Sequence, residues 1–177
     1  MAKIFASWVH GNAAFLEFPH TNQFPRDLVT APRGQAPASG PAFSDVIGWR
    51  RAWGAFFHIP PNDVNFIHIP IPTPVLVEDL RASLARAMVL FRADPVDCFL
   101  IRVEVFDGQN SIALFPPDRN EELGLTGDHT ALRNENTFTV NRDAIAFGIG
   151  LTLTFRGGPN GGDVYIASAG CDFLHNI

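Results

Sequence analysis

WRRAWGAFFHIPPNDVNFIHIPIPTPVLV, residues 49–77, is the stretch that decides the fold. It holds two of the three tryptophans and repeats His-Ile-Pro at 58–60 and 68–70. Polar and apolar residues alternate after the turn signal at 60–63, which is typical of strands. One predicted face carries Val64, Phe66, His68 and Pro70, and the other carries Asn65, Ile67, Ile69 and Ile71. We predict two extended strands that pair through this turn.

The same pattern extends along the rest of the chain. Short apolar segments recur between turns rich in Gly, Pro, Asn and Asp, which is typical of antiparallel sandwiches and jelly rolls. We therefore predict an all-β fold, a single antiparallel, jelly-roll-like β-sandwich domain over residues 1–177 with about 8–10 strands. Two long loops interrupt it, a Pro-rich insertion at 19–45 and a polar loop at 116–136.

Residues 78–92 fit two patterns. Leu80, Leu84 and Phe91 belong to a helical stripe, whereas Ala85, Ala87 and Val89 alternate as they would in a strand. A short turn signal at 93–97 leads into a strand-like segment at 98–106, which favours a hairpin. We predict a strand over 83–92, with a helix as the alternative.

A further strand is predicted at 144–155. Its alternation places one set of side chains on a single face: Ile145, Phe147, Ile149, Leu151, Leu153 and Phe155. Gly148 and Gly150 fall on the opposite face, where we expect close backbone approach. The glycines at 157–162 predict a loose hairpin tip before a last strand at 164–173.

Composition excludes several classes of function. The net charge is −5 and no basic stripe is present, so we expect no nucleic-acid partner. The N-terminus lacks a signal-peptide pattern and no segment is long and apolar enough to span a membrane, so we expect a cytoplasmic protein.

Cys98 and Cys171 are expected to be buried thiols. Sixteen phenylalanines and a low charged fraction of 18% predict an apolar contact surface, hence a homo-oligomer or a protein partner. Trp8 is expected to anchor the core.

Six histidines and a few loop residues are the candidates for a site. His58 and His68 could meet across the predicted hairpin, with Asp128 or His129 as a third metal ligand. Trp49, Trp53, Asp128 and His129 are the candidate ligand-binding residues, although turn capping is the commoner role for an aspartate placed as Asp128 is. No catalytic motif is present, so we assign no catalytic residue and no cofactor, with a divalent metal as the alternative.

Four phrases carry a resemblance to known sequences: SWVHGNAAFLEF at 7–18, HIPIPTPVLVEDLR at 68–81, GDHTAL at 127–132 and FGIGLTLTF at 147–155. In these phrases the chain resembles an uncharacterised bacterial family of small β-sandwich proteins with no assigned function. The resemblance implies a sandwich fold and gives no site residue to transfer.

Three functions are therefore expected, in this order. The first is a non-catalytic β-sandwich that acts by binding or self-assembly. The second is a cupin-like metal-binding protein or enzyme that uses His58, His68 and His129 or Asp128. The third is a lectin-like module that binds a glycan through Trp49, Trp53 and polar loop residues.

Overall fold

The computed structural model describes residues 2–17, 48–77, 79–142 and 144–176, so the predicted insertion at 19–45 lies outside the described residues. Short 3₁₀ turns occur at Gly11–Ala13 and Asn134–Asn136. The strands of the described ranges, in chain order, are β1 (Ala2–His10), β2 (Phe15–Leu16), β3 (Gly48–Arg51), β4 (Gly54–Ile59), β5 (Val64–Pro70), β6 (Leu76–Val77), β7 (Leu80–Arg81), β8 (Ser83–Ala93), β9 (Cys98–Asp107), β10 (Asn110–Phe115), β11 (Gly127–His129), β12 (Thr137–Arg142), β13 (Ile149–Gly157) and β14 (Gly162–Asn176).

Two antiparallel sheets form the body of the described chain. In sheet A, β14 lies between β8 on one side and β4 and β1 on the other; β8 also pairs with β11 and β12, and β4 with β3. Sheet B has the order β10-β9-β13-β5-β2, and β6 and β7 form a separate two-stranded ribbon. The predicted all-β sandwich is confirmed. The strands outnumber the prediction because several, such as β2 and β11, are only two or three residues long.

The predicted hairpins are instead connections between the two sheets. The turns at 60–63, 94–97 and 158–161 lead from β4 to β5, from β8 to β9 and from β13 to β14, and each pair is divided between sheets A and B. β4 pairs with β14, and β5 pairs with β13. The predicted strand pairing within 49–77 is therefore wrong. A turn sequence does not encode whether the chain pairs with itself or crosses to the facing layer.

These three turns, the corners of the sandwich, lie side by side and are joined by hydrogen bonds. The Asn62 N–H donates to the Gly158 carbonyl over 3.0 Å, and the Gly158 N–H donates to the Asp97 carbonyl over 2.8 Å. A Cβ on Gly162 would lie 2.3 Å from the Asp97 carbonyl oxygen. The glycine run at 157–162 is therefore part of a closely packed end of the sandwich, and the expectation of a loose hairpin tip is wrong.

Alternation in β13 fills the core as predicted, with one exception. Ile149, Leu151, Leu153 and Phe155 are all buried, and the Phe155 ring meets the Phe91 ring of sheet A edge-on, with centroids 5.7 Å apart. Phe147, which was predicted for the same face, is 69% exposed. The strand begins only at Ile149, so the period-two pattern does not extend back to Phe147.

The conformation of β8 distinguishes between the strand and the helix predicted for residues 78–92. It is a strand that pairs with β14 over most of its length. Leu84, Ala87, Val89 and Phe91 are completely buried, which gives the strand its core face. The strand prediction over 83–92 is confirmed, and the helical stripe was a coincidence of spacing.

Trp8 lies on the outer face of sheet A. It is 37% exposed, and its register partner on β14 is Gly170. A Cβ on Gly170 would lie 2.5 Å from Trp8 Cδ2, so the indole covers the glycine. The expectation that Trp8 anchors the core is therefore wrong.

Among the described residues there is no helix with the length and hydrophobicity to cross a membrane.

Candidate functional site

A groove of about 350 Å³ crosses the outer face of sheet B. The strand register explains it, because Gly150 of β13 lies between Pro70 of β5 and Phe106 of β9. A Cβ on Gly150 would have no heavy atom within 4 Å, and the same holds for Gly148. The expected close backbone approach at these glycines is therefore wrong. Gly150 leaves open space between two apolar walls.

The adjacent row of residues is polar, and its members His68 and Thr152 line one end of the groove. His68 Nε2 lies 2.9 Å from Glu17 Oε2, and His68 Nδ1 lies 3.0 Å from Thr152 Oγ1. An ionised carboxylate has no proton to donate, so we assign the proton of the neutral imidazole to Nε2. Nδ1 then accepts the hydroxyl proton of Thr152. The oxygen of Thr152 keeps lone pairs that can accept a hydrogen bond from a bound molecule.

Aromatic side chains border the groove. The Phe15 ring is 49% exposed and tilts by 40° against the His68 ring, with centroids 5.4 Å apart. Phe106 forms the opposite wall. Gly108 lines the far end, and a Cβ on it would lie 3.0 Å from Cβ of the exposed Phe147. The groove thus offers ring faces along its length and hydrogen-bonding groups at one end.

A buried carboxylate fixes the loop at the far end. Asp107 is 5% exposed and accepts three backbone N–H bonds, from Ala146 at 2.7 Å, Phe147 at 2.8 Å and Gly148 at 3.0 Å. Burial alone would raise the pKa of Asp107, but these three donors and the charge of Arg142 bring it below the ordinary value. Asp107 therefore acts as an ionised clamp that holds Phe147 at the rim.

The three predicted metal ligands do not come together. His58 lies on β4 in sheet A, with Nδ1 2.8 Å from Asp163 Oδ1. His68 lies on the outer face of sheet B, and His129 lies on β11 at the edge of sheet A. The part of the chain that the structure describes contains no group of three His, Cys, Asp or Glu side chains placed to hold a metal ion. The corner at 60–63 separates His58 from His68, because it sends their strands to different sheets.

Asp128 and His129 point to opposite sides of β11. Asp128 is exposed and accepts hydrogen bonds from the Thr130 hydroxyl and N–H at 2.6 and 2.9 Å, which lower the pKa of its carboxyl. His129 is buried, stacks on Phe91 with centroids 4.8 Å apart, and its Nε2 donates to the Thr126 carbonyl. Successive side chains of a strand face opposite ways, so the two cannot act on one ligand. Asp128 caps a turn, and His129 is a core residue.

The two candidate tryptophans lie at the opposite edge of sheet A from His129. Trp53 is in the turn between β3 and β4, is 46% exposed, and its carbonyl accepts a hydrogen bond from the Tyr165 hydroxyl. Tyr165 stacks on Phe56, with centroids 4.7 Å apart. Trp49 lies on β3, and its side chain is outside the described part of the structure. Trp53, Asp128 and His129 are not among the residues that line the groove.

Of the residues that line the groove, the sequence predicted only His68 as a site residue, and it predicted His68 as a metal ligand. Phe15, Glu17 and Thr152 carry no motif, and strand register alone assembles them. The available signal was Gly150, a glycine that interrupts the outer face of an otherwise strong strand.

Both cysteines are free and buried, Cys98 on β9 and Cys171 on β14. Burial raises the pKa of each thiol to about 12, and the charges of Asp163 and Asp94 add to the effect at Cys98, as that of Asp172 does at Cys171. A nucleophilic cysteine needs a thiolate and access to substrate, so these thiols have a structural role.

Comparison with known proteins adds no assignment to this geometry. No protein-family model matches the chain, and no curated protein matches its sequence. The predicted resemblance to an uncharacterised β-sandwich family therefore stays a prediction.

Proposed function

We propose that this chain is a non-catalytic binding protein and that the groove on the outer face of sheet B is its binding site. The open space over Gly150, between Pro70 and Phe106, is the observation that supports this function most strongly. Its volume of about 350 Å³ falls within the range of small-molecule sites. Such sites combine apolar walls with a few placed polar groups, which matches the aromatic rims and the Glu17–His68–Thr152 row.

The ligand that fits this lining is a neutral ring with apolar faces and a hydrogen-bonding edge, of which a hexose is the simplest example. Phe15 and Phe106 offer surfaces against which C–H faces can pack. Thr152 can accept a hydrogen bond from a hydroxyl at the polar end. Glu104 lies opposite Thr152 on the same face as Glu17, so the local charge disfavours an anionic ligand.

Binding explains the polar row better than catalysis does. A carboxylate, an imidazole and a hydroxyl in series have the order of a hydrolase triad. However, Thr152 lies in the middle of β13, with His68 on one side and Glu104 on the other as ladder partners. Acyl transfer also needs free N–H donors aimed at a developing oxyanion. The backbone N–H groups of β13 are instead used in hydrogen bonds to its two neighbouring strands, β5 and β9. The row therefore supports orientation of a ligand.

A variant that fills the groove tests this proposal. Gly150→Val places a side chain in space that is free of neighbouring atoms, so the fold should tolerate it. Gly148→Val is the matched control, because its Cβ is equally unobstructed but lies outside the groove lining. Saturation-transfer NMR with neutral mono- and disaccharides should show contacts with the wild type and the control, and none with Gly150→Val. Absence of any sugar contact with the wild type, or equal contacts with Gly150→Val, would contradict the proposal.

Two broader expectations accompany this function. We infer a cytoplasmic location, which the two free thiols favour, since oxidising compartments convert many thiol pairs to disulfides. A protein partner is also expected from the apolar surface.

A further inference from the structure

β1 is an edge strand with unusual composition. It pairs with β14 through nine consecutive residue pairs without a bulge, and no other described strand pairs with it. Natural edge strands are commonly protected by charges, prolines or bulges. β1, with the sequence AKIFASWVH, has Lys3 as its one formally charged residue and no proline.

The exposed side chains of this strand are largely apolar. Ile4 is 62% exposed, and Phe5 and Trp8 are each more than one-third exposed. Ala6 between them is also exposed. The strand therefore presents apolar side chains along an edge that no other described strand covers, which is the kind of surface used for strand addition.

We propose that β1 pairs antiparallel with β1 of a second copy of this chain, joining two copies of sheet A into one continuous sheet across a two-fold axis. Antiparallel pairing of identical strands is isologous, so each contact occurs twice. With the axis at Ala6, Ile4 of one copy lies opposite Trp8 of the other, and a small residue occupies the crowded centre. Lys3 then lies opposite Val9, so the pairing brings no like charges together.

The backbone pairing of this contact can be compared with typical interfaces by its number of hydrogen bonds. Nine antiparallel residue pairs exchange about eight to ten backbone hydrogen bonds, because every second pair exchanges two. Typical protein interfaces contain about ten direct hydrogen bonds. The doubled Ile4–Trp8 contact adds apolar burial on one face.

Cross-linking at the axis tests the arrangement directly. Directly opposite residues have Cα atoms about 4.5–5.5 Å apart, within the range that a disulfide spans. Ala6→Cys should therefore give a covalent dimer under mild oxidation. Thr139→Cys, an exposed position on β12 at the opposite edge of sheet A, is the matched control and should stay monomeric on a denaturing gel. Cys98 and Cys171 are buried and do not compete.

A charge variant supplies a second readout. Ala6→Lys places two ammonium groups opposite each other at the axis and should raise the dimer dissociation constant about tenfold or more, whereas Thr139→Lys should not change it. Light scattering measures the mass of each variant, and circular dichroism checks that each is folded. A monomeric wild type would overturn the proposal. A dimer unaffected by Ala6→Lys, or cross-linked only through Thr139→Cys, would also overturn it.

Discussion

Substitution of Asp107 by Asn should destabilise the protein by about 3–4 kcal/mol near neutral pH. The carboxylate accepts two N–H bonds at Oδ1, from Phe147 and Gly148, and one at Oδ2, from Ala146. Asn can retain the two bonds at its carbonyl oxygen, each weaker by about 1 kcal/mol without the charge. Its NH₂ group then faces the Ala146 N–H, so the third bond is lost and a largely buried donor is left without a partner, which adds about 1–2 kcal/mol.

The pH dependence of this loss identifies the cause. The pKa of Asp107 is lower in the folded protein than its ordinary value of 3.8. Its contribution to stability is therefore complete above the unfolded-state pKa and is lost as the pH falls through the folded pKa. Wild type and Asp107→Asn should differ by a constant amount above about pH 5, and the difference should shrink progressively as the pH falls below about 3.8, because protonated Asp107 resembles Asn.

Urea denaturation at several pH values measures both quantities. Asp118→Asn is the control, because Asp118 is an exposed aspartate that also caps a backbone N–H, that of Asn120 at 2.8 Å, and its loss should be about 0.5 kcal/mol or less. A loss below about 1 kcal/mol for Asp107→Asn, or a difference that persists unchanged at pH 3, would show that Asp107 is not an ionised clamp.

Three further predictions concern packing and burial. Gly170→Ala should cost about 1–3 kcal/mol because its Cβ meets Trp8, and the cost should largely disappear in a Trp8→Ala background; equal costs in both backgrounds would refute the contact. His175→Leu should keep or increase the free energy of unfolding by about 1 kcal/mol, because His175 is 0% exposed and its ring nitrogens have no hydrogen-bond partner in the described residues; a marked loss in urea denaturation would contradict this. Cys98 and Cys171 should react with a thiol reagent only after denaturation, and labelling of the native protein would show that either thiol is accessible.

The sequence predicts strands and their inner faces well because these depend on neighbours along the chain. The alternation in β5 correctly separates Ile67 and Ile69 from His68, and the apolar run of β13 identifies a core strand. The failures lie where the chain changes direction or leaves the strand pattern. Phe147 fits the alternation of β13, but the Asp107 clamp holds its loop off the sheet. That constraint comes from a residue forty positions earlier.

The candidate site could not be predicted because its parts are distant in sequence. Thr152 meets His68 across an 84-residue separation, and His68 meets Glu17 across 51. These contacts follow from the register of β13 on β5 and from the end of β2. A one-residue change of register would replace the outer-face partners with core residues. The chemistry of the six histidines, which lack ligand spacing, instead suggested a metal site. The corners of the sandwich keep the suggested ligands apart.

The glycines of β13 and the first glycine of β14 are present for two different reasons. Gly157 and Gly162 meet carbonyl oxygens so closely that a Cβ would lie 2.1 and 2.3 Å from them, so the corner packing excludes any larger residue. Gly150 has no such neighbour and no positive φ. A glycine within a strand costs about 0.5–1 kcal/mol relative to alanine, and a β-branched residue would suit the position better still. Neither close packing nor a positive φ therefore requires glycine at position 150, which supports the proposal that the open space above it is used for binding.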